Sequence, residues 1–237
     1  MALPIVAAPE FEATIPSTGQ KIFFRPFLVK EEKSLYMALE GGEQNEIVNA
    51  VTNVLTSCIK SDVDVSKLSY FDIEYLFLKL RSKSVGEEVT LRFRHGGNDP
   101  ECKHVTEVVV NLDDVELQKD EDHTDKVMVT DSIGVKLKYP TLDTAKNASN
   151  LDMKNIGTVF EFIADSIEYV FDQENIYEDS TREERREWVE SLNQSQFEKI
   201  TGFFNTMPKL SKDIEYKCEA CGKDEKITIE GLQGFFV

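Results

Sequence analysis

Positive charge is scarce in this chain. Its 237 residues carry 27 lysines and arginines against 44 aspartates and glutamates, a formal charge of −17. Binding a polyanion needs a basic surface that releases counterions, so no nucleic-acid partner is expected. A surplus of carboxylates suits solubility and electrostatic choice among protein partners. Long apolar runs are also missing. None approaches the ~20 residues of a membrane-spanning helix, and no membrane partner is expected. The opening MALPIVAAPEF is short, interrupted by prolines and without a basic start, unlike a secretory signal. Seven prolines and twelve glycines nowhere gather into a linker, so domain boundaries are weakly marked, and no array with a 20–50-residue period is present. Phosphate-loop, dinucleotide-binding, serine-elbow and zinc-protease motifs are absent. The histidines number three, His95, His104 and His123. The chain therefore reads as a non-enzyme. An unfamiliar paired-carboxylate site stays open as an alternative, because carboxylates are plentiful.

What is there reads as an α+β protein. EFEATIPSTGQKIFFRPF forms a β-hairpin: Phe11, Ala13 and Ile15 alternate with polar residues, as do Ile22 and Phe24 on the return. Gly19 in the turn suits a positive φ. Leu28, Leu35 and Leu39 then share a helical stripe that Gly41 and Gly42 stop. A second stripe runs from Ile47 through Val51, Val54 and Leu55 to Cys58 and Ile59. SYFDIEYLFLKLRSKSVG is a third helix, apolar on most sides. Such a helix lies at the centre of a core or is covered by another chain. From Glu88 to Tyr139 the period becomes two, predicting paired strands in VTLRFRH and HVTEVVVNL and a further hairpin in KVMVTDSIGVKLKYP. LDDVELQKDEDHTD between them lacks calcium-loop spacing and reads as a solvated acidic loop. Ile156, Val159, Phe160, Ile163, Ile167 and Phe171 predict one amphipathic helix face. Thr181 with Glu184 forms a capping box. Phe197, Ile200, Phe203 and Phe204 form a last helix before Pro208, and DIEYK and KITIE a closing hairpin. The resulting segments are 1–87 (hairpin and helices), 88–140 (antiparallel β-region), 141–207 (helical) and 208–237 (zinc-knuckle-like hairpin with an apolar tail), as separate parts or as one compact domain.

Cysteine is rare, and its placement is informative. Four cysteines without a secretion signal suggest a reducing compartment, where a close pair is more often a metal or redox site than a disulfide. Cys218-x-x-Cys221 in a strand–turn–strand has the geometry of a zinc knuckle, whose backbone N–H groups stabilise thiolates. A thioredoxin-like redox pair would open a helix instead. Comparing IEYKCEACGKDEKITIEGL with LRFRHGGNDPECKHVTEVVVNL shows two strand–turn–strand segments, with His95 at the place of Cys218 and Cys102 at that of Cys221. The candidate structural zinc set is therefore Cys218, Cys221, Cys102 and His95, with His104 in reserve. Four protein ligands leave no open position for catalysis. Cys58, on a helix's apolar stripe, reads as a buried core thiol.

Two stretches carry a resemblance. IPSTGQKIFFRPFLVKEEKSLYMALE (residues 15–40) and FDIEYLFLKLRSKSVGEEV (residues 71–89) are similar to the T4-type phage baseplate hub family, small proteins needed to build the central hub of a contractile tail. The likeness is densest over the first ninety residues and looser to the tail. It implies a non-enzymatic role with phage baseplate hub proteins as partners, as assembly chaperone or as hub subunit. The expected location is the host cytoplasm during assembly or the virion tail baseplate. Phe77, on the apolar helix, and Phe235 and Phe236, in the tail, are the candidate partner contacts. A zinc-ribbon nucleic-acid-binding or transcription accessory protein is the alternative.

Overall fold

The computed structural model describes residues 7–94, 102–141, 144 and 156–231. These form two compact units. The first comprises residues 1–65, 71–118 and 209–237, and the second residues 66–70 and 119–208. In sequence, the second is largely an insertion between two strands of the first.

The first unit opens with β1 (Phe11–Thr14) and β2 (Lys21–Phe24), paired antiparallel. Gly19, at φ +71°, closes the turn by donating its N–H to the Ile15 carbonyl at 2.8 Å. This backbone shape strains any residue with a Cβ. The turn is fixed from outside as well, since Ser17 N–H donates to the buried Asp72 carboxylate at 2.9 Å. Helix α1 (Val29–Gly41) ends where Gly42, also at φ +71°, donates to the Ala38 and Leu39 carbonyls. It packs against α2 (Gln44–Cys58). Between β2 and α1, the Arg25 guanidinium bonds Glu31 Oε1 at 3.0 Å and the Pro26 and Ser57 carbonyls. Glu31 Oε2 in turn accepts from Leu28 N–H at 2.6 Å. Cys58 is fully buried, and desolvation raises its thiol pKa to about 11.

Helix α3 (Tyr70–Ser84) is the axis of this unit. Phe71, Ile73, Leu76, Phe77, Leu78 and Leu80 are all buried, so of the two readings of its apolar sides, the core-central one holds. Its Leu78 packs with Val89 and Leu91 of β3 (Glu88–Arg94), Val110 of β4 (Val105–Asn111), and the connection residues Leu112 and Val115. The C-terminal strands complete this core through Leu210 and Ile214 of β10 (Lys209–Lys217) and Ile229 of β11 (Asp224–Glu230).

The acidic segment after β4 departs from the expected solvated loop. Leu112 and Val115 anchor the core, while Asp113 takes bonds from Ser82 and Lys83 of α3 at 2.9 Å each. β5 (Glu116–Gln118) pairs with β10, giving the sheet order β11-β10-β5. Apolar residues spaced among the carboxylates, not the carboxylates themselves, decide its placement.

The second unit holds an antiparallel sheet of β6 (Lys126–Met128), β7 (Gly134–Leu137), β8 (Ile167–Phe171) and β9 (Ile176–Tyr177). Helix α4 (Ile156–Ser166) leads directly into β8. Ile167 and Phe171 therefore belong to a strand and not to the helix face expected of them. The run IEYVF is β-branched and aromatic, and pairing with β7 satisfies its backbone while Ile167 still enters the core. Helix α5 (Arg182–Glu190) starts with the expected Thr181–Glu184 capping box, and α6 (Gln194–Thr206) with a second one from Asn193 and Gln196. Ile163, Val189, Ile200 and Phe203 meet Val135 and Leu137 in the core. His123 is stacked on Tyr139 and Phe203, with its ring nitrogens 2.9 Å from Thr206 Oγ1 and Tyr139 Oη.

Candidate metal centre

Two hairpins of the first unit bring the cysteines together. β3 and β4 pair in register from Glu88 with Asn111 to Arg94 with Val105, and Cys102 lies three residues before β4. β10 and β11 pair from Ser211 with Glu230 to Lys217 with Asp224, which leaves Cys218–Lys223 as the turn. That turn is a knuckle. Cys218 N–H donates to the Lys223 carbonyl and Gly222 N–H to the Cys218 carbonyl, both at 2.8 Å, with Gly222 at φ +71°. The geometry folds the backbone N–H groups of Cys221 and Ala220 onto Cys218 Sγ.

Sγ of Cys102, Cys218 and Cys221 all lie within 4.8 Å of one another. Cys102 and Cys218, 116 residues apart in sequence, are 3.8 Å apart at sulfur. Cys218 is buried, Cys102 half-buried and Cys221 exposed. The N–H groups of Cys221 and Ala220 hold the Cys218 pKa down to about 6, despite desolvation. Cys102 moves the other way. It accepts from the backbone N–H of His104, but partial burial and the adjacent Cys218 and Cys221 sulfurs outweigh that bond and raise it. The neighbouring thiols also donate to Cys218 Sγ, and together these bonds keep it in the thiolate form, the form that binds metal. Sulfurs held tetrahedrally at ~2.3 Å from one ion stand about 3.8 Å apart, which is the Cys102–Cys218 separation.

Three of the four candidate ligands are thus brought together, Cys218, Cys221 and Cys102. His95, next after Arg94, lies outside the described residues. His104 stands at the margin, with Nε2 3.6 Å from Glu219 Oε2. Glu219 is marked in the sequence only by its place between the two cysteines of the knuckle. Cys58 takes no part.

Phe77 is fully buried on α3, beneath a cleft lined by Phe27, Leu35, Tyr36, Leu39, Arg81 and Val85. Its ring offers no exposed surface. The solvent-facing apolar groups at that cleft are Tyr36 and Val85, about 60 % exposed each, and Leu39, with Val29 and Met37 also exposed on α1. Phe235 and Phe236 lie outside the described residues.

Residues 8–237 match the family described as T4 bacteriophage base plate protein. The chain belongs to that family. The match runs through both units and includes both cysteine-bearing hairpins. No curated protein and no solved structure matches the chain. Membership of a baseplate family implies interaction with other phage baseplate proteins. Among the described residues, no helix is long and apolar enough to cross a membrane.

Proposed function

We propose that this baseplate-family protein acts without catalysis in building the central hub of the tail baseplate, as an assembly chaperone or as a hub subunit, through protein–protein contacts. The observation that carries the reading is the family match across residues 8–237, sharpened by the resemblance of residues 15–40 and 71–89 to hub proteins. The acidic surface and the exposed Val29, Tyr36, Met37 and Val85 support a protein-binding role. The cleft above Phe77 and the Phe235–Phe236 tail are where a hub partner would be sought. Action takes place in the host cytoplasm, where the chain either stays behind or enters the tail baseplate.

Zinc belongs to the same proposal, as a structural ion. Cys102, Cys218 and Cys221 would bind it together with a histidine from the end of the β3–β4 hairpin, His95 or His104. Zinc would supply charge neutralisation for the clustered thiolates and a clamp between two hairpins distant in sequence. Structural zinc of this kind contributes roughly 10–16 kcal/mol of apparent binding energy in finger peptides.

The test is an amber mutation in the gene, with tails examined by electron microscopy and particles by quantitative mass spectrometry. Loss of hub-containing baseplates is expected. The protein at fixed copy number in finished particles identifies a hub subunit, and its presence in lysate alone a chaperone. Complete, infectious particles formed without the protein would overturn the proposal.

A further inference from the structure

The two hairpins face each other along a defined stripe. Phe93 stacks on Tyr216 with ring centroids 5.4 Å apart, and Phe93 pairs across β3–β4 with Thr106. Exposure alternates on the approach to β4. Cys102 and His104 are half-buried and Thr106 buried, whereas Lys103 and Val105 are exposed. Side chains two apart on extended chain share a face, so His104 shares the face that carries Cys102 and Thr106.

The state of the imidazole is unusual there. His104 Nε2 is enclosed and, among the described residues, has no hydrogen-bond partner, an unfavourable arrangement for a buried polar group. Glu219 Oε2 stands at 3.6 Å, just beyond bonding distance. Glu219 is attached directly to Cys218, and the backbone N–H of His104 already donates to Cys102 Sγ. The residue is tied to the centre by its backbone, and its ring stands beside the knuckle without a bond to it.

We propose that His104 is the fourth ligand, completing a Cys3His set through Nδ1 while its Nε2–H donates to Glu219. This rests on the zinc reading above. Metal-ligating histidines almost always donate their other ring N–H to a carboxylate, carbonyl or water, which fixes the tautomer and raises ligand basicity. Closing the 3.6 Å gap satisfies the orphaned nitrogen and leaves the Nδ1 lone pair free for an ion. Glu219 is then a positioning residue, and His104 the ligand.

The experiment is titration of the full chain with Co(II), a spectroscopic substitute for zinc, followed by competition with zinc. Wild type, His104→Ala, His95→Ala and Glu219→Gln are compared, with circular dichroism to confirm folding. The wild type takes up one ion with thiolate-to-cobalt charge transfer. His104→Ala weakens zinc at least tenfold and shifts the cobalt d–d bands as oxygen replaces nitrogen. Glu219→Gln weakens zinc by about 10–100-fold with the band positions kept, and His95→Ala changes neither. If His104→Ala does not fold, 15N spectra of the zinc-loaded wild type answer the same question through the His104 tautomer, with Nε2 protonated and Nδ1 metal-bound. A wild-type cobalt spectrum in His104→Ala, a ligand shift in His95→Ala, or a freely titrating His104 ring would overturn the assignment while leaving the metal centre standing. No uptake by the wild type would overturn both.

Discussion

Gly134 is the position where one added methyl group should do most harm in the second unit. In β7 it stands opposite Phe171 of β8, whose ring lies over its Cα. A Cβ built there would fall 2.3 Å from Phe171 Cζ and 2.8 Å from Cε1 and Cε2. Carbon–carbon contact is ordinarily about 3.5–4.0 Å, so the ring must retreat by more than about 1 Å. It can do so only by leaving the strand face and its edge contact with Tyr169. Overpacking of this kind costs typically about 1–3 kcal/mol. For a cooperative unit of 60–100 residues, each kcal/mol moves Tm by roughly 4–8 °C. The assay follows from composition, because the one tryptophan, Trp188, packs on the core of this unit. Its fluorescence in urea reports the second unit selectively. Gly134→Ala should shift that transition down, and Phe171→Ala should remove the reason for the shift. In the Phe171→Ala background, Gly134→Ala should be neutral or stabilise by about 0.4–1 kcal/mol, since the backbone there is extended and alanine restricts the unfolded chain. An equal loss in both backgrounds would refute the steric argument, because the cycle would then show no coupling.

Removing Glu31 should be costly in the first unit, since it takes the carboxylate from the half-buried Arg25 guanidinium and leaves it only the Pro26 and Ser57 carbonyls. Glu31→Ala is expected to lose about 1.5–3 kcal/mol in urea unfolding, and Glu31→Gln less, because an amide oxygen still accepts from Leu28. Burial raises the Glu31 pKa, but Arg25 and the Leu28 N–H more than reverse that, so it ends lowered. The stability it contributes is present above the ordinary carboxylate range and lost as pH falls through the lower folded value; a pH-independent difference from Glu31→Gln would contradict this. His123 is also lowered, chiefly by burial and then by Lys119. The unfolded chain takes up its proton first, so the second unit should lose stability as pH falls from about 6.5. His123→Gln should flatten that slope in Tm, and an unchanged slope would contradict the assignment. Strong chelation should release one zinc per chain and open residues 209–231 to protease. In the chelated native protein, a thiol reagent should modify Cys102, Cys218 and Cys221 but spare Cys58, which is buried with its pKa raised; four fast-reacting thiols would refute the packing of α2.

Local chemistry made much of the protein legible. The alternation of Ile15, Ile22 and Phe24, the stripe ending at Cys58, the Thr181 capping box and the glycines at 19, 42 and 222 each specify their own conformation through nearest neighbours. The pairing of two cysteine hairpins could be read because both carry the same strand–turn–ligand pattern. Cys102 beside Cys218 and Cys221 follows from that likeness, while the ring placement of His104 and the nearness of Glu219 do not. The acidic segment could not be read, because its partners Leu78, Ser82, Lys83 and β10 come from distant sequence. Ile167 and Phe171 fit helical and strand periods equally, and only β7 alongside them decided between the two. Sequence alone determined most of the elements, the acidic character and the candidate metal-binding thiols, because these depend on residue type and short spacing. The tertiary structure alone decided that β5 joins β10, that Phe77 is enclosed, and that sulfurs 116 residues apart meet at 3.8 Å. Those outcomes depend on which distant surfaces exclude water together, and short-range spacing does not encode that choice.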